Sequence, residues 1–203
     1  ADETAGTFWP LFFLLWASLN ALFLSADVFN LYVTLELLTL ASIGLIALAG
    51  TTEAIVAALR YLIVGLLGSL LYLMGVALLY GAFGVLDLAA LGARLAAEPR
   101  GQMAAAMMVA GLLIKAALFP LHFWLPPAHA NAPAPVSALL SALVVKGAFY
   151  MIVRLWLEVF PAATLSKGGQ LLGLLGAGAI VWGSIQAFRA ERLKLLVAYS
   201  TVA

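Results

Sequence analysis

The sequence predicts an all-α integral membrane protein: a bundle of six full transmembrane helices plus the start of a seventh, with one helix discontinuous near Pro120 and one short interfacial amphipathic helix. Three observations predict it. Of 203 residues, 66% are hydrophobic and 9% charged, and the mean hydropathy is +1.13. Soluble domains carry about 25% charged residues, so this chain cannot cover a water-facing surface. The apolar residues fall in runs near the ~20 residues that cross a bilayer core. Five of the eight prolines crowd into 120–135, where they remove backbone donors and break a helix.

In chain order, the spans are 8–24, uncharged; 28–49, with Glu36; and 54–80, with Arg60. The stretch 84–100 differs. Asp87, Arg94 and Glu98 share one helical face and Leu88, Leu91 and Leu95 line another, as in a helix lying in the membrane interface. Next come 101–119, with Lys115; 136–157, with Lys146 and Arg154; and 169–188, uncharged. The last run, 193–203, reaches only about 16 Å at 1.5 Å per residue, roughly half a bilayer. The 101–119 span should break near Pro120, leaving the apolar HFWLPPAH stretch non-helical at membrane depth. Such backbone is tolerated only against protein or a water-filled cavity, and broken helices recur at ion sites of transporters.

Several functions are excluded or unsupported. A net charge of +1 offers nothing to nucleic acid. The absence of cysteine removes disulfides, thiolate metal sites and cysteine-held clusters. Two histidines and no acidic or histidine-rich motif argue against a metal site, and no flavin, nicotinamide, haem or quinone motif is visible, so no cofactor is expected. The start, Ala1-Asp2-Glu3, lacks both an initiator Met and the basic region of a signal peptide; the chain reads as processed or as a fragment.

The intramembrane charges carry the functional reading. Glu36 lies nine residues into its span, Lys146 eleven into its own, and Lys115 about one turn before Pro120. A central charge costs about 2.5–3.5 kcal/mol on the translocon scale and needs a partner or water. A static Glu36–Lys115 pair that fixes packing is the bland reading; a proton or ion pathway is the functional one. Burial disfavours the ammonium and a nearby carboxylate favours it, so moving one against the other loads or releases a proton. Arg60 sits nearer a helix end and can snorkel. Arg154 and Glu158, four apart, read as a local pair. His122 and His129 flank the break as relay candidates. Asn30, Ser137, Ser141 and Gln186 serve equally well as interhelical hydrogen-bond groups.

At these positions the chain resembles a known family. The segments DVFNLYVTLE (27–36), GLLIKAALFPLHFWLP (111–126), AHANAPAPVSALL (128–140) and LKLLVAYST (193–201), with RYLIVGLLGSLLYLMGVALLYG (60–81), are similar to the antiporter-like, proton-conducting membrane subunits of respiratory complex I, membrane-bound hydrogenases and multisubunit Na⁺/H⁺ antiporters. The resemblance implies a fold of about 14 helices in two inverted repeats, each with a broken helix. This chain, 1–203, would then be a single transmembrane domain covering the later first-repeat helices and the start of the second. It places the family's membrane glutamate on Glu36, its broken-helix lysine on Lys115, its next central lysine on Lys146 and a modulating basic residue on Arg60. Two departures stand out: Pro127 replaces the usual Asp after W-L-P, and Ala134 replaces Thr or Ser between two prolines, removing a cap for a helix opening at Pro135.

The expected function is proton, or cation/proton, translocation within a larger complex such as an NADH-quinone oxidoreductase or a multisubunit antiporter, with any redox chemistry in other subunits. A non-conducting scaffold and a stand-alone secondary transporter are the alternatives. The implied partners are other membrane subunits, the lipid bilayer, and protons or Na⁺; the implied location is a bacterial or organellar inner (cytoplasmic) membrane. Counting spans, the N-terminus, the 50–53 turn, the 126–135 region and the Arg189, Arg192, Lys194 loop share one side, with Arg94, Arg100 and Lys167 on the other. The densest basic loop marks the cytoplasmic side. In this cysteine-free chain, a single cysteine at Glu191 is therefore expected to react with impermeant thiol reagents only from the cytoplasmic side; labelling from outside reverses the orientation.

Overall fold

Each long apolar run is helical in the computed structural model, which describes residues 2–95, 100–160 and 162–203. Helix α1 spans Asp2–Leu24, α2 Val28–Ala47 and α3 Thr52–Phe83. Short α4 follows at Leu88–Leu95, then α5 at Arg100–Lys115 and α6 at Leu125–Asn131. Helix α7, Ala134–Leu139, continues through a π-helical turn, Leu140–Val144, into α8, Val145–Glu158; α9 is Ala162–Arg189 and α10 Leu193–Val202. No strand occurs among the described residues, only a single bridge between Asp27 and Asp87. Among the described residues, five helical stretches are long and apolar enough to cross a membrane: Gly6–Leu24, Val28–Ala47, Thr52–Phe83, Ala134–Glu158 and Gly168–Arg189.

Local chemistry sets the boundaries. Asp27 caps α2, its Oδ1 accepting from Phe29 N and Asn30 N, both at 2.8 Å. Thr51 caps α3 through Ala54 N at 3.2 Å, and Gly84 closes it in the left-handed conformation, φ 66°. At that same end the α1–α2 and α3–α4 corners are stitched together: Val28 N donates to Leu86 O and Leu88 N to Ala26 O, each at 2.9 Å. Arg154 adds α8 by donating to Ser25 O while pairing with Glu158 at 3.1 Å, the local pair expected from their spacing.

The amphipathic stretch is shorter than the 84–100 expected. Its apolar face, Leu88, Leu91 and Leu95, is buried as predicted. Asp87, however, lies outside the helix as its cap, accepting from Ala90 N at 2.9 Å. Arg94 turns back to Phe83 O at 2.6 Å, and Glu98 lies outside the described residues.

The helix is interrupted around Pro120 as expected, with Pro120 inside the turns of 116–124, but the break begins earlier and the proline-rich stretch is not all non-helical. Helix α5 ends at Lys115, five residues before Pro120. Ala117 adopts a left-handed φ of 50° and the chain continues in turns to Trp124. The proline-rich stretch then re-forms a helix, α6, because Pro126 and Pro127 fall in its first turn, where no intrahelical donor is needed. Helix α7 opens at Ala134 behind Pro133 rather than at Pro135, with no side-chain cap.

Small residues bring α3 and α5 together. A Cβ on Gly111 would collide with the Gly68 carbonyl, one on Gly68 would sit 2.8 Å from Gly111 O, and one on Gly75 would sit 2.6 Å from Ala104 O. The backbones therefore touch along this crossing, the usual way apolar helices gain packing in lipid. Outward faces are apolar, as in Leu59, Ile63, Leu66, Leu67, Leu70 and Met74 of α3, all exposed on the isolated chain. Gly111→Val should consequently lower thermal stability in detergent by about 1–3 kcal/mol, the range for overpacking. Gly81→Ala, a position with open space around it, should leave stability unchanged or slightly raised; equal effects would remove the close-crossing argument.

Candidate functional site

The candidate site grows from three helices. On α2, Leu31, Leu35 and Leu38 face the core, and Thr34, Thr39 and Ser42 join them by returning their hydroxyls to Asn30 O, Leu35 O and Leu38 O at 3.0, 2.8 and 2.6 Å. Glu36 sits at the edge of this face, its side chain 16% exposed. On α3, the Ser69 hydroxyl lies between Glu36 Oε1 and Gly65 O. From the end of α5, Lys115 extends past Gly68, where only a hydrogen side chain leaves room: a Cβ there would stand 3.3 Å from Lys115 Cγ.

The ammonium meets the carboxylate. Lys115 Nζ donates to Glu36 Oε1 at 2.7 Å and to Thr39 Oγ1 at 2.8 Å, and the residue is 5% exposed. Each charge is thus neutralised and hydrogen-bonded at once, the condition under which a buried ion pair persists.

Aromatic side chains close the break beneath this pair. Trp124, fully buried, donates its indole N–H to Ile114 O at 2.9 Å. Its ring stacks on Tyr61 of α3 with centroids 4.2 Å apart and planes 5° from parallel. The turn bonds Ala116 N to Leu112 O (2.7 Å) and Leu118 N to Leu113 O (3.1 Å) absorb further carbonyls at the helix end.

The other sequence candidates lie elsewhere. His122, largely buried, stacks on Phe119 at 5.7 Å, and its Nδ1 has no hydrogen-bond partner. His129 is fully buried in α6; Nδ1 and the Ser137 hydroxyl are 2.8 Å apart, and Nε2 is unpartnered. Lys146 acts electrostatically on His129. On α8, Val145, Ala148, Met151, Ile152 and Leu155 are buried, and Lys146 is exposed on the isolated chain beside Phe149 and Val153. Arg60 is likewise exposed and lines a groove with Glu53, Pro127 and Asn131. It lies nine residues from Ser69 along α3, about 13 Å. Ser141 bonds Thr201 at 2.7 Å, and Lys194 donates to Ala132 O at 2.7 Å, tying α10 to this region.

Sequence reasoning did not single out Ser69, Thr39, Tyr61 or Trp124. Thr39 was detectable, since it stands three residues from Glu36 and shares its face. Ser69 and Trp124 depend on long-range packing with no local signature.

Fold and site together define an integral membrane protein that holds a buried carboxylate–ammonium pair where a helix is interrupted. The chain belongs to the family described as NADH:quinone oxidoreductase/Mrp antiporter, TM, which it matches over residues 25–203. It is 44% identical over 202 residues to NADH-quinone oxidoreductase subunit N of Desulforudis audaxviator, covering 98% of this chain and 40% of the relative. Over 209 residues it is 39% identical to a membrane subunit of a probable K⁺/H⁺ antiporter of Rhizobium meliloti, covering 98% and 39%. In structure it resembles a chain of the membrane-bound sulfane sulfur reductase, an archaeal respiratory membrane complex, with TM-score 0.90, 33% identity and coverage of 95% of this chain and 40% of that one. The chain therefore spans about two fifths of the length of the curated relatives it matches.

Trp124→Phe keeps the stack on Tyr61 but strips Ile114 O of its indole donor. It should destabilise the chain by about 1 kcal/mol, the value of one net hydrogen bond, whereas Trp124→Ala should cost about 3–5 kcal/mol. Denaturation of purified variants in detergent measures both; an Ala variant no worse than Phe contradicts the clamp.

Proposed function

We propose that this chain is part of a proton-translocating subunit of a larger membrane complex, of the respiratory or multisubunit-antiporter kind. On this reading Glu36 and Lys115 exchange protons as their ion pair opens and closes. The observation that supports it most is the buried pair itself, with its lysine on the last residue of a helix that stops within the apolar layer. An ammonium at such an end can move with the adjoining turns without melting a continuous ladder. Membership of the family supports the same reading.

In this view the chain supplies six full spans and the start of a seventh, as one transmembrane segment of a longer fold. The α5–turn–α6 unit forms the discontinuous span, and α4 rests at the interface. His122 and His129 relay protons near the break, Lys146 continues the route outward from His129, and Arg60 tunes the pair from the α3 end. Protons are the coupling ion, with Na⁺ as the alternative; other membrane subunits and lipid are the partners. The setting is an inner (cytoplasmic) membrane with the Arg189–Lys194 loop on the cytoplasmic side. A charge left alone near mid-membrane costs about 2.5–3.5 kcal/mol, so opening the pair requires water or a second polar seat for each member.

Lys115→Met should reduce proton translocation in vesicles by at least tenfold while the variant still assembles. Glu36→Gln, which strands the ammonium, should do the same; Glu36→Asp, which keeps the charge but shortens its reach, should be milder; and Arg60 variants should change rates without abolishing them. Normal conduction by Lys115→Met means the pair is structural only.

A further inference from the structure

Lys115 has a polar neighbour that its pairing with Glu36 does not require. Thr39 Oγ1 lies 2.8 Å from Lys115 Nζ. A threonine hydroxyl has one proton and two acceptor lone pairs. That proton goes to Leu35 O at 2.8 Å, which turns the lone pairs away from the α2 ladder and towards α3 and α5. One of them receives the ammonium. On the α3 side the Thr39 methyl and the Tyr61 ring both border Gly65, and the Tyr61 ring is pinned by its stack on Trp124. The hydroxyl is therefore held in an accepting orientation by its bond to Leu35 O.

We propose that Thr39 is a positioning residue for Lys115: a neutral second seat that keeps the ammonium in place when Glu36 is protonated, and so sets the proton concentration at which Lys115 loads. The inference rests on the proton-translocation reading above. When Glu36 carries a proton, the carboxylate charge is gone and the ammonium retains its charge-assisted bond to Thr39 Oγ1. Such bonds are stronger than neutral ones, so the charged amine remains a populated state rather than discharging at once. When the amine gives up its proton, it leaves Thr39 still bonded to Leu35 O.

The charged and titratable surroundings are few. Glu36 on α2 is the group that acts on Lys115. Tyr61 is the titratable neighbour from α3, where its ring and the Thr39 methyl both border Gly65. His122 stacks on Phe119, and His129 is coupled to Ser137 and Lys146.

The test is the pH profile of proton transport in vesicles carrying the chain in its native assembly. Thr39→Val is nearly isosteric and removes the acceptor. It disfavours the loaded amine, so transport needs more protons: the pH of half-maximal rate should fall by about one unit, a tenfold change in proton concentration, with the maximal rate at low pH retained. Thr39→Ser should restore the parental profile. Thr39→Ala serves where the valine variant accumulates poorly and should shift in the same direction. A Thr39→Val or Thr39→Ala profile superimposed on the parental one overturns the proposal, as does a Thr39→Ser profile that shifts like the valine variant. A Lys115→Met variant that still transports defeats the translocation reading itself, whereas an inactive Lys115→Met beside an unshifted Thr39→Val defeats only the role of Thr39.

Discussion

Two opposite charges set among apolar helices must find each other, and the architecture around α2, α3 and α5 follows from that constraint. Glu36 and Lys115 are 79 positions apart in sequence and 2.7 Å apart in space. Their meeting requires three helices to approach more closely than large side chains permit. Gly68, Gly75 and Gly111 remove the obstacle on the α3–α5 side, and the Asp27–Asp87 stitch fixes the ends from which α2 and α4 set out. Removing either charge leaves the other uncompensated in low dielectric, which is why the pair, rather than each residue, is the structural unit.

The interrupted helix answers a second demand. Each backbone group inside an apolar layer must be bonded, and a helix that ends at Lys115 frees carbonyls there. Tight turns take some of them and the Trp124 indole takes Ile114 O. Trp124 also stacks on Tyr61, whose ring borders Gly65 together with the Thr39 methyl, so the side chains that satisfy the break also pack beside the residues that hold the ammonium.

The candidate residues fall into separate groups rather than a single cluster. One is Glu36, Lys115, Thr39 and Ser69 within α2, α3 and α5; another is His129, Ser137 and Lys146 on α6, α7 and α8. The π-helical turn at Leu140–Val144 leads directly into Val145 and Lys146, and Lys146 is exposed on this chain. Apolar side chains beside it, such as Phe149 and Val153, make that face suitable for lipid or for further helices.

By itself the sequence determined that the chain is helical and membrane-embedded, because twenty-residue apolar runs with so few charges have no other way to bury their surface and satisfy their backbone. It located Glu36 and Lys115 as residues needing partners, and the proline cluster as a break. The tertiary structure decided where the helix ends: at Lys115, because the chain reverses through Ala117 well before Pro120. It decided that Pro126 and Pro127 start a helix instead of preventing one, since first-turn donors are unbonded in any case. It also decided that Arg60 and Lys146 are exposed on this chain, and that Ser69 and Thr39 bond the Glu36–Lys115 pair. Local pattern reports how costly a group is to bury; which neighbours offset that cost depends on contacts between residues far apart in the chain, and those exist only once the helices have packed.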